Sequence, residues 1–473
     1  MQPLAGRKYE QQLLLKLQNS DKSEFVAVYG RRRVGKTFLL RQVFENDFTF
    51  HFTGMANVNL QQQLANFNVA FARFNKAGNQ KPAQSWLEAF AQLTDFLEQD
   101  KAKRKIIFID ELPWLDTPSS GFIPALEHFW NSWASPRTDI MFIVCGSAAS
   151  WMISKLINNK GGLHNRVTQR IQLKPFTLAE CEMYFKMRNA AFDRYQLLQL
   201  YMAMGGIPFY LEQVDVSKSA AQNIDSICFT QTGLLQNEFN NLYASLFKKA
   251  DKHIAIIEAL ATKLKGITRE ELLQITGLPN GGGTTRLLTE LEASNFIRRY
   301  KPFEKKERNS LYQVADFYSL FYLKFIKNAN AAEEGIWLNS LDSPAQRAWS
   351  GYAFEQVCLA HTDMIKKALG ISGIQSNSSS WLGKTGGNAA QIDLLIDRRD
   401  QVINICEMKF SINSFIITKK YAGEIRDKIG IFKAATGTKK SIYFTMITTF
   451  GLLENEYANS LVQNSLTMDA LFE

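Results

Sequence analysis

The stretch "FVAVYGRRRVGKT", Phe25 to Thr37, constrains this chain more than any other. Phe25 to Tyr29 is a continuous apolar run, as a short strand buried on both faces should be. A glycine-rich turn follows, and "FLLRQVFEN" then continues with helical apolar spacing. Strand, glycine-rich turn and helix are the context that GxxxxGK[ST] needs before it counts as a phosphate loop, and here the context is met. In such a loop the backbone N–H groups of Gly30, Arg31, Arg32, Arg33, Val34 and Gly35 wrap around phosphate at a helix N-terminus, where the helix dipole also favours negative charge. Lys36 is expected to reach the terminal phosphates and the Thr37 hydroxyl to coordinate Mg²⁺. The bland alternative is a chance match to a short pattern, and the flanking strand and helix weigh against it.

Phe48 to Phe52, Ile106 to Ile109, Ile140 to Cys145 and Ile171 to Leu173 are further strand candidates separated by helical patterns. That alternation predicts an α/β fold, a mostly parallel sheet with helices on both faces. "KIIFIDEL" places Asp110 and Glu111 at the C-terminal tip of a buried strand, where ligands gather in open α/β sheets. Asp110 is expected to hold the metal through water, and Glu111 to orient and deprotonate an attacking water. Two acids at a strand end otherwise merely cap the next helix.

With Gly6 and Arg7 ahead of the loop, residues 1 to about 330 resemble the prokaryotic AAA-like ATPases related to the STAND signalling branch, the archaeal-type ATPase family. The resemblance implies ATP and Mg²⁺ as cofactors, and homo-oligomer formation on nucleotide binding as an expectation. It also implies a γ-phosphate-sensing polar residue at the end of the strand after the acidic pair. "IMFIVCGSA" supplies Ser147 there, where asparagine is commoner in the wider superfamily. "LHNRVTQRIQLKPF" matches the family's L-x-G-R signature through Arg166, with Asn165 in place of glycine and Arg170 in reserve. The family's arginine approaches nucleotide in the same chain or across a subunit boundary. "GGIPFY" matches the lid signature and implies Pro208 near the nucleotide. Ordinary capping or packing is the competing role for each of these residues.

Residues 174 to 235 read as a helical lid. From Ile254 three helical patterns follow, the second opened by a Thr268–Glu271 capping box. The strand-like runs "FIRRY" and "SLYQV" come next, joined by "KPFEKKERN", and complete the outline of a winged helix over residues 236–330. Between Arg298 and Arg308 stand six basic and two acidic residues, a local +4 suited to phosphates at a wing. The presumptive recognition helix, however, carries Glu290 and Glu292 beside Arg286, so DNA contact and an internal coupling role stand level.

A loose stretch marks a boundary near residue 330, after which "QIDLLIDRRDQVINICEMKFS" gives two apolar runs joined by a charged turn. Period-two alternation puts Glu407 and Lys409 on one face, and pairing through the turn lets Asp393 face Glu407. Close carboxylates repel unless a divalent cation sits between them, and Lys409 would stabilise developing negative charge. Upstream, the helix "WSGYAFEQVCLAH" offers Glu355 as a third acid. An acid on a helix, then D, then E-x-K on adjoining strands resembles the PD-(D/E)XK nuclease fold over about residues 345 to 450. The resemblance implies Mg²⁺ or Mn²⁺ held by Glu355, Asp393 and Glu407, with catalysis at Asp393, Glu407 and Lys409. A solvated hairpin, or a nuclease fold that has lost its chemistry, is the rival reading.

At 473 residues the chain exceeds one ordinary core. The expected division is an ATPase core over 1–173, a lid over 174–235, a winged helix over 236–330 and a restriction-endonuclease-like α/β domain over 331–473. A net charge of +10 favours a polyanionic partner, DNA or another nucleic acid. Five scattered cysteines read as buried hydrophobes in a reducing compartment. With no signal peptide pattern and no bilayer-length apolar run, a cytoplasmic protein without membrane contact is expected. The leading expectation is Mg²⁺-dependent ATP hydrolysis that switches a nucleic-acid-directed module with nuclease potential. Its rival is a signalling or assembly switch whose C-terminal domain only binds a partner. A nucleotide kinase is disfavoured, because extra domains follow and no acceptor lid is evident.

Overall fold

The apolar run ahead of the glycine-rich turn is an inner strand of a parallel sheet. The computed structural model describes residues 4–44, 46–75, 81–159, 161–247, 249–330, 333–385 and 388–473. The chain divides into two units, Met1–Pro175 with Ser245–Lys248, and Phe176–Ala244 with Lys249–Glu473. The first contains α1 (Lys8–Gln18), β1 (Glu24–Tyr29), α2 (Lys36–Phe44), β2 (Phe48–Thr53), α3 (Leu60–Phe74), α4 (Trp86–Gln99), β3 (Lys105–Asp110), α5 (Phe122–His128), β4 (Ile140–Gly146), α6 (Ala149–Trp151) and β5 (Gln169–Gln172). Strand order is β2-β3-β4-β1-β5, with every pairing parallel.

All of β3 and β4 is buried, and β1 is buried up to Tyr29, which is why these strands read as unbroken apolar runs rather than alternating ones. On one face Phe25, Ala27, Ile107 and Phe142 pack with Phe67, Phe71, Phe90 and Leu126 of the helices. The last strand starts two residues and ends one residue earlier than its apolar residues suggest. Leu173 falls outside it, although its N–H still donates to Tyr29 O at 2.7 Å.

In the second unit α7 (Leu178–Met187), α8 (Arg194–Met204), α9 (Pro208–Leu211) and α10 (Ala220–Cys228) come first, and α11 (Glu238–Leu246) straddles the division in sequence. A Cβ at position 206 would stand 2.0 Å from Phe176 O, so only glycine fits there. Next come α12 (Ala250–Ala261), β6 (Ile267–Thr268), α13 (Arg269–Thr276), α14 (Gly282–Ala293), β7 (Ile297–Tyr300) and β8 (Leu311–Val314). The three strands form an antiparallel sheet in the order β6-β8-β7. The Thr268–Glu271 capping box is present, with reciprocal bonds of 3.2 and 2.8 Å.

The remaining elements are α15 (Phe317–Phe321), α16 (Ile336–Asn339), α17 (Pro344–Ala360), α18 (Thr362–Ala368), β9 (Ser376–Thr385), β10 (Asn388–Arg398), β11 (Val402–Lys409), α19 (Lys419–Thr436), β12 (Ser441–Thr448), α20 (Glu456–Leu461) and β13 (Asn464–Thr467). Their sheet runs β13-β12-β11-β10-β9. β9, β10 and β11 are antiparallel neighbours, whereas α19 carries the chain across to β12, parallel to β11. Trp381, Ile405, Phe432 and Phe444 form part of the core between this sheet and α19.

His361, at the end of α17, ties that helix to α7. One ring nitrogen faces Val357 O at 2.8 Å and the other accepts from Leu178 N–H at 3.1 Å. A carbonyl can only accept and an N–H can only donate, so the buried ring is neutral with its proton on Nδ1. Burial lowers its pKa against weaker opposing effects of Val357 and Glu180. The unfolded chain protonates this histidine near ~6.5 while the folded chain resists, so its stabilising contribution is complete above that pH and is lost as pH falls below it. Unfolding measured across this window should show stability dropping with acidity, and His361→Gln should flatten the slope.

Candidate functional site

The phosphate loop is built around a buried ammonium group. Gly30, Arg33 and Gly35 have φ of 150°, 72° and 88°, which lets the chain turn tightly between β1 and α2. A Cβ on Gly30 would stand 2.3 Å from Leu173 O, so the first glycine is required by contact as well as by φ. Lys36 is only 5% exposed, and its Nζ donates to Gly30 O (3.0 Å), Arg31 O (2.9 Å) and Ser147 Oγ (3.0 Å). All three protons of the ammonium are thus engaged. Arg7 donates to Lys174 O at 2.6 Å and Val34 O at 3.4 Å, which places the Gly6–Arg7 signature against the loop.

Asp110 ends β3 and receives the Thr37 hydroxyl at 2.8 Å on one carboxylate oxygen and Glu111 N–H at 2.9 Å on the other. Thr37 and Asp110 are therefore two adjacent hard oxygen donors, a set that fits Mg²⁺ once phosphates and water complete the shell. Glu111 has a left-handed φ of 47°, and its carboxylate accepts both the N–H (3.2 Å) and the hydroxyl (2.8 Å) of Ser147. Ser147 Oγ accordingly accepts from Lys36 and donates to Glu111, linking the loop's cation to the second acid through one hydroxyl. Behind them, burial chiefly, with the Asp110 carboxylate adding to it, pushes the Cys145 thiol up.

Other residues singled out by sequence are distributed differently. Arg31 and Val34 are buried, Arg32 is exposed and Arg33 lies between. Asn165 adopts the left-handed backbone, φ 54°, that its substitution for glycine required. Arg166 is exposed, with its N–H on Leu163 O at 3.1 Å, and Arg170 lies on β5 opposite Ala27. Pro208 is the first residue of α9 in the second unit.

A second constellation lies within the second unit. The β10–β11 register runs from Asp397–Ile403 to Leu394–Cys406 and ends one residue short of Asp393 and Glu407. Between Ile392 and Leu395 the β9–β10 register shifts, a bulge that re-aims Asp393. Glu355 of α17 approaches the same place. Burial, then the charges of Asp393 and Glu407, push its carboxyl up to about 7 against the opposing Lys265 and Lys409. A cavity of about 150 Å³ is lined by Glu355, Asp393, Lys265, Arg298, Tyr300 and Tyr352 among others.

Each carboxylate already has partners. Asp393 accepts from Gln391 Nε2 at 2.7 Å and has Lys265 Nζ at 3.6 Å. Glu407 is held by Lys428 (2.5 Å), Lys409 (3.0 Å) and the Tyr421 hydroxyl (3.0 Å). Burial alone would raise its carboxyl, but the two lysines outweigh it and keep it below the usual range. Among the described residues no set of three or more His, Cys, Asp or Glu side chains is arranged to hold a metal ion. Glu355, Asp393 and Glu407 therefore share a neighbourhood but not a coordination sphere. Sequence reasoning missed Tyr421 and Lys428, whose i, i+7 spacing on one helix was the available signal. It also missed Lys265, which nothing local marks.

Comparison with known proteins bears on the front of the chain. Residues 4–214 match the family described as an ATPase domain predominantly from Archaea. An uncharacterized protein of Methanocaldococcus jannaschii is 27% identical over 348 residues, 72% of this chain and 72% of that protein. Among solved structures, the Walker-type ATPase of Pyrococcus abyssi aligns at 18% identity with a TM-score of 0.48, covering 68% of this chain and 96% of that one. The ORC2 protein of Aeropyrum pernix aligns at 15% identity with a TM-score of 0.41, covering 72% and 96%. Residues 4–214 form an ATPase domain, and the loop with its acidic pair lies within it. Among the described residues no helix is long and apolar enough to cross a membrane.

Proposed function

We propose that this protein binds and hydrolyses ATP with Mg²⁺ at Thr37 and Asp110, and thereby controls a nucleic-acid-directed module in the rear of the chain. The observation that carries the first half is the continuous link from Lys36 through Ser147 to Glu111. An arriving terminal phosphate is a stronger acceptor than the carbonyls of Gly30 and Arg31, so Lys36 exchanges them for it. Ser147 then feels that exchange directly and passes it to Glu111, the acid placed to orient and deprotonate water. Loop N–H groups supply further donors to the phosphates, and the metal ion neutralises charge on them when bound. Arg166 remains a candidate for a nucleotide contact made in the same chain or from a neighbouring subunit, and Pro208 for a lid contact.

Helices α12, α13 and α14, with β6 between the first two and β7 and β8 after the third in one β6-β8-β7 sheet, support a winged helix. Glu290 is buried, bonded to His253 and Arg286 at 2.8 Å each, so one of the two acids that counted against DNA contact is turned inward. The order α17, β9, β10, β11, α19, β12, with acids on the helix and on two adjoining strands, supports a PD-(D/E)XK-like domain. Domain limits of 1–173, 174–235, 236–330 and 331–473 remain our division of the chain, and residues 331 and 332 at the last limit lie outside the described residues.

A specific observation favours the rival switch reading, since the carboxylates are engaged by lysines and no metal-holding set is formed among the described residues. Purified protein with Mg²⁺ or Mn²⁺ on single- and double-stranded DNA and RNA, with and without ATP, separates the two. We expect cleavage that Asp393→Ala abolishes while leaving ATP turnover intact. A wild-type protein that cleaves nothing under any of these conditions, yet hydrolyses ATP, would establish the switch instead.

A further inference from the structure

We infer that the cavity walled by Arg298, Tyr300 and Tyr352 is a pocket for one single-ring nucleobase with an exocyclic amine, cytosine being its best complement, either turned out of a strand or free as a nucleoside. This rests on the reading of the rear of the chain as a nucleic-acid-directed module, and it names the part of the nucleic acid that the module grips. No metal ion is required. Every residue involved belongs to the second unit.

Three hydrogen-bonding groups on the wall are left open. Arg298 donates through Nε and Nη2 to Gln313 Oε1 at 2.9 and 2.7 Å, and through Nη2 also to Gln356 Oε1. Both partners are uncharged amides. Among the described residues no carboxylate pairs with this guanidinium, and the two N–H groups of Nη1 make no bond. Because a guanidinium only donates, Gln356 must turn its oxygen toward it, which leaves the amide nitrogen of this residue, only 3% exposed, without an acceptor among the described residues. Ser379 Oγ of β9 is buried and has no partner. Buried polar groups are normally paired, so three open ones on the wall of one cavity mark the place of a ligand that the chain itself does not supply.

Size and chemistry narrow that ligand. A volume of about 150 Å³ takes one six-membered ring rather than the fused pair of a purine. The hydroxyls of Tyr300 and Tyr352 are both turned to the turn before β6, at Lys265 O (2.6 Å) and Leu264 O (3.3 Å), so their rings serve the cavity as apolar walls suited to a planar heterocycle. Arg298 and Gln356 bring donors for a ring carbonyl and a ring nitrogen. Glu355, next to Gln356 on α17, lines the same cavity and supplies the acceptor for the amine, as acid side chains accept from cytosine in the grooves of DNA. A small anion fits worse, because Glu355 and Asp393 share the wall. Lys265, half exposed beside the cavity, is placed for the phosphate attached to such a base.

Fluorescence anisotropy of short labelled DNA strands of abasic sites, each carrying one central base, tests this on the full-length chain without ATP or divalent ions, since the backbone charge is then constant. A cytosine-bearing strand should bind roughly tenfold or more tighter than the wholly abasic strand, and an adenine-bearing strand no tighter than the abasic one. Glu355→Leu and Ser379→Leu should each bring the cytosine-bearing strand down to the abasic level. Burial pushes the Glu355 carboxyl up, so a neutral side chain there keeps the fold, which melting temperatures check; the wild-type comparison needs no variant. Strands that bind equally whatever the base, or a cytosine preference that survives both substitutions, overturn the pocket and leave the nucleic-acid-directed reading standing. Cytidine retained in equilibrium dialysis by wild type but not by Glu355→Leu, with no strand bound, keeps the pocket for a free nucleoside and overturns that reading. Binding of neither strand nor cytidine overturns both.

Discussion

Lys36→Ala should abolish measurable ATP turnover. The side chain's ammonium is buried, and its three donors serve the loop's own carbonyls and Ser147. Removing it has two separable effects. Gly30 O, Arg31 O and Ser147 Oγ lose a charged donor in a place with little water, which costs on the order of 1–3 kcal/mol of stability. The transition state also loses a preorganised cation, and loss of one such donor is worth roughly 10²–10³-fold in turnover before any loss of nucleotide affinity. Steady-state hydrolysis together with binding of a fluorescent ATP analogue measures both effects. Hydrolysis at the wild-type rate would mean that "GRRRVGKT" is not a phosphate loop in this protein.

Glu407→Ala should destabilise the rear of the second unit far more than a typical change at a polar strand position. Its carboxylate is bonded to Lys428, Lys409 and Tyr421, and is only 14% exposed. Without it two ammonium groups face each other across a partly dry space. The cost should be about 3 kcal/mol, the lower end for breaking a buried pair, because both lysines keep some contact with water. Urea unfolding would measure it, and Lys428→Met added to Glu407→Ala should recover part of the loss. A Glu407→Ala protein as stable as wild type would show that the lysines do not depend on this acid. For cleavage assays the consequence is practical. Asp393 is the informative acid to remove, since its contacts are fewer and its loss leaves no pair of buried cations behind.

What could be read in advance was what is local. The phosphate loop occupies eight consecutive residues, Gly30 to Thr37, and its flanking runs declare their own strand and helix. The pairing of β10 with β11 through a short turn needed only alternation and the charged turn residues. Partnerships made by distant segments were hidden. Lys265 and Asp393 meet because one sheet lies against another, and no periodicity in either segment encodes that. Glu290 looked like an acid that DNA would repel, and His253 of another helix turned it into an interior acceptor. The Ser147 hydroxyl was expected to sense phosphate, but its bond to Glu111 depends on how β3 and β4 align and cannot be seen in either strand alone.

Helix α17 does three jobs along one rigid rod of about 25 Å. Glu355 stands near the other acids, Gln356 takes the Arg298 guanidinium of β7, and the ring just past its end holds the first turn of α7. A rigid helix passes motion along its axis, so tilting α7 shifts the carboxyl of Glu355, six residues and about 9 Å back along the rod. Linkage makes the effect mutual: whatever occupies the acids must bias the posture of α7 by the same free energy with which α7 biases their occupancy.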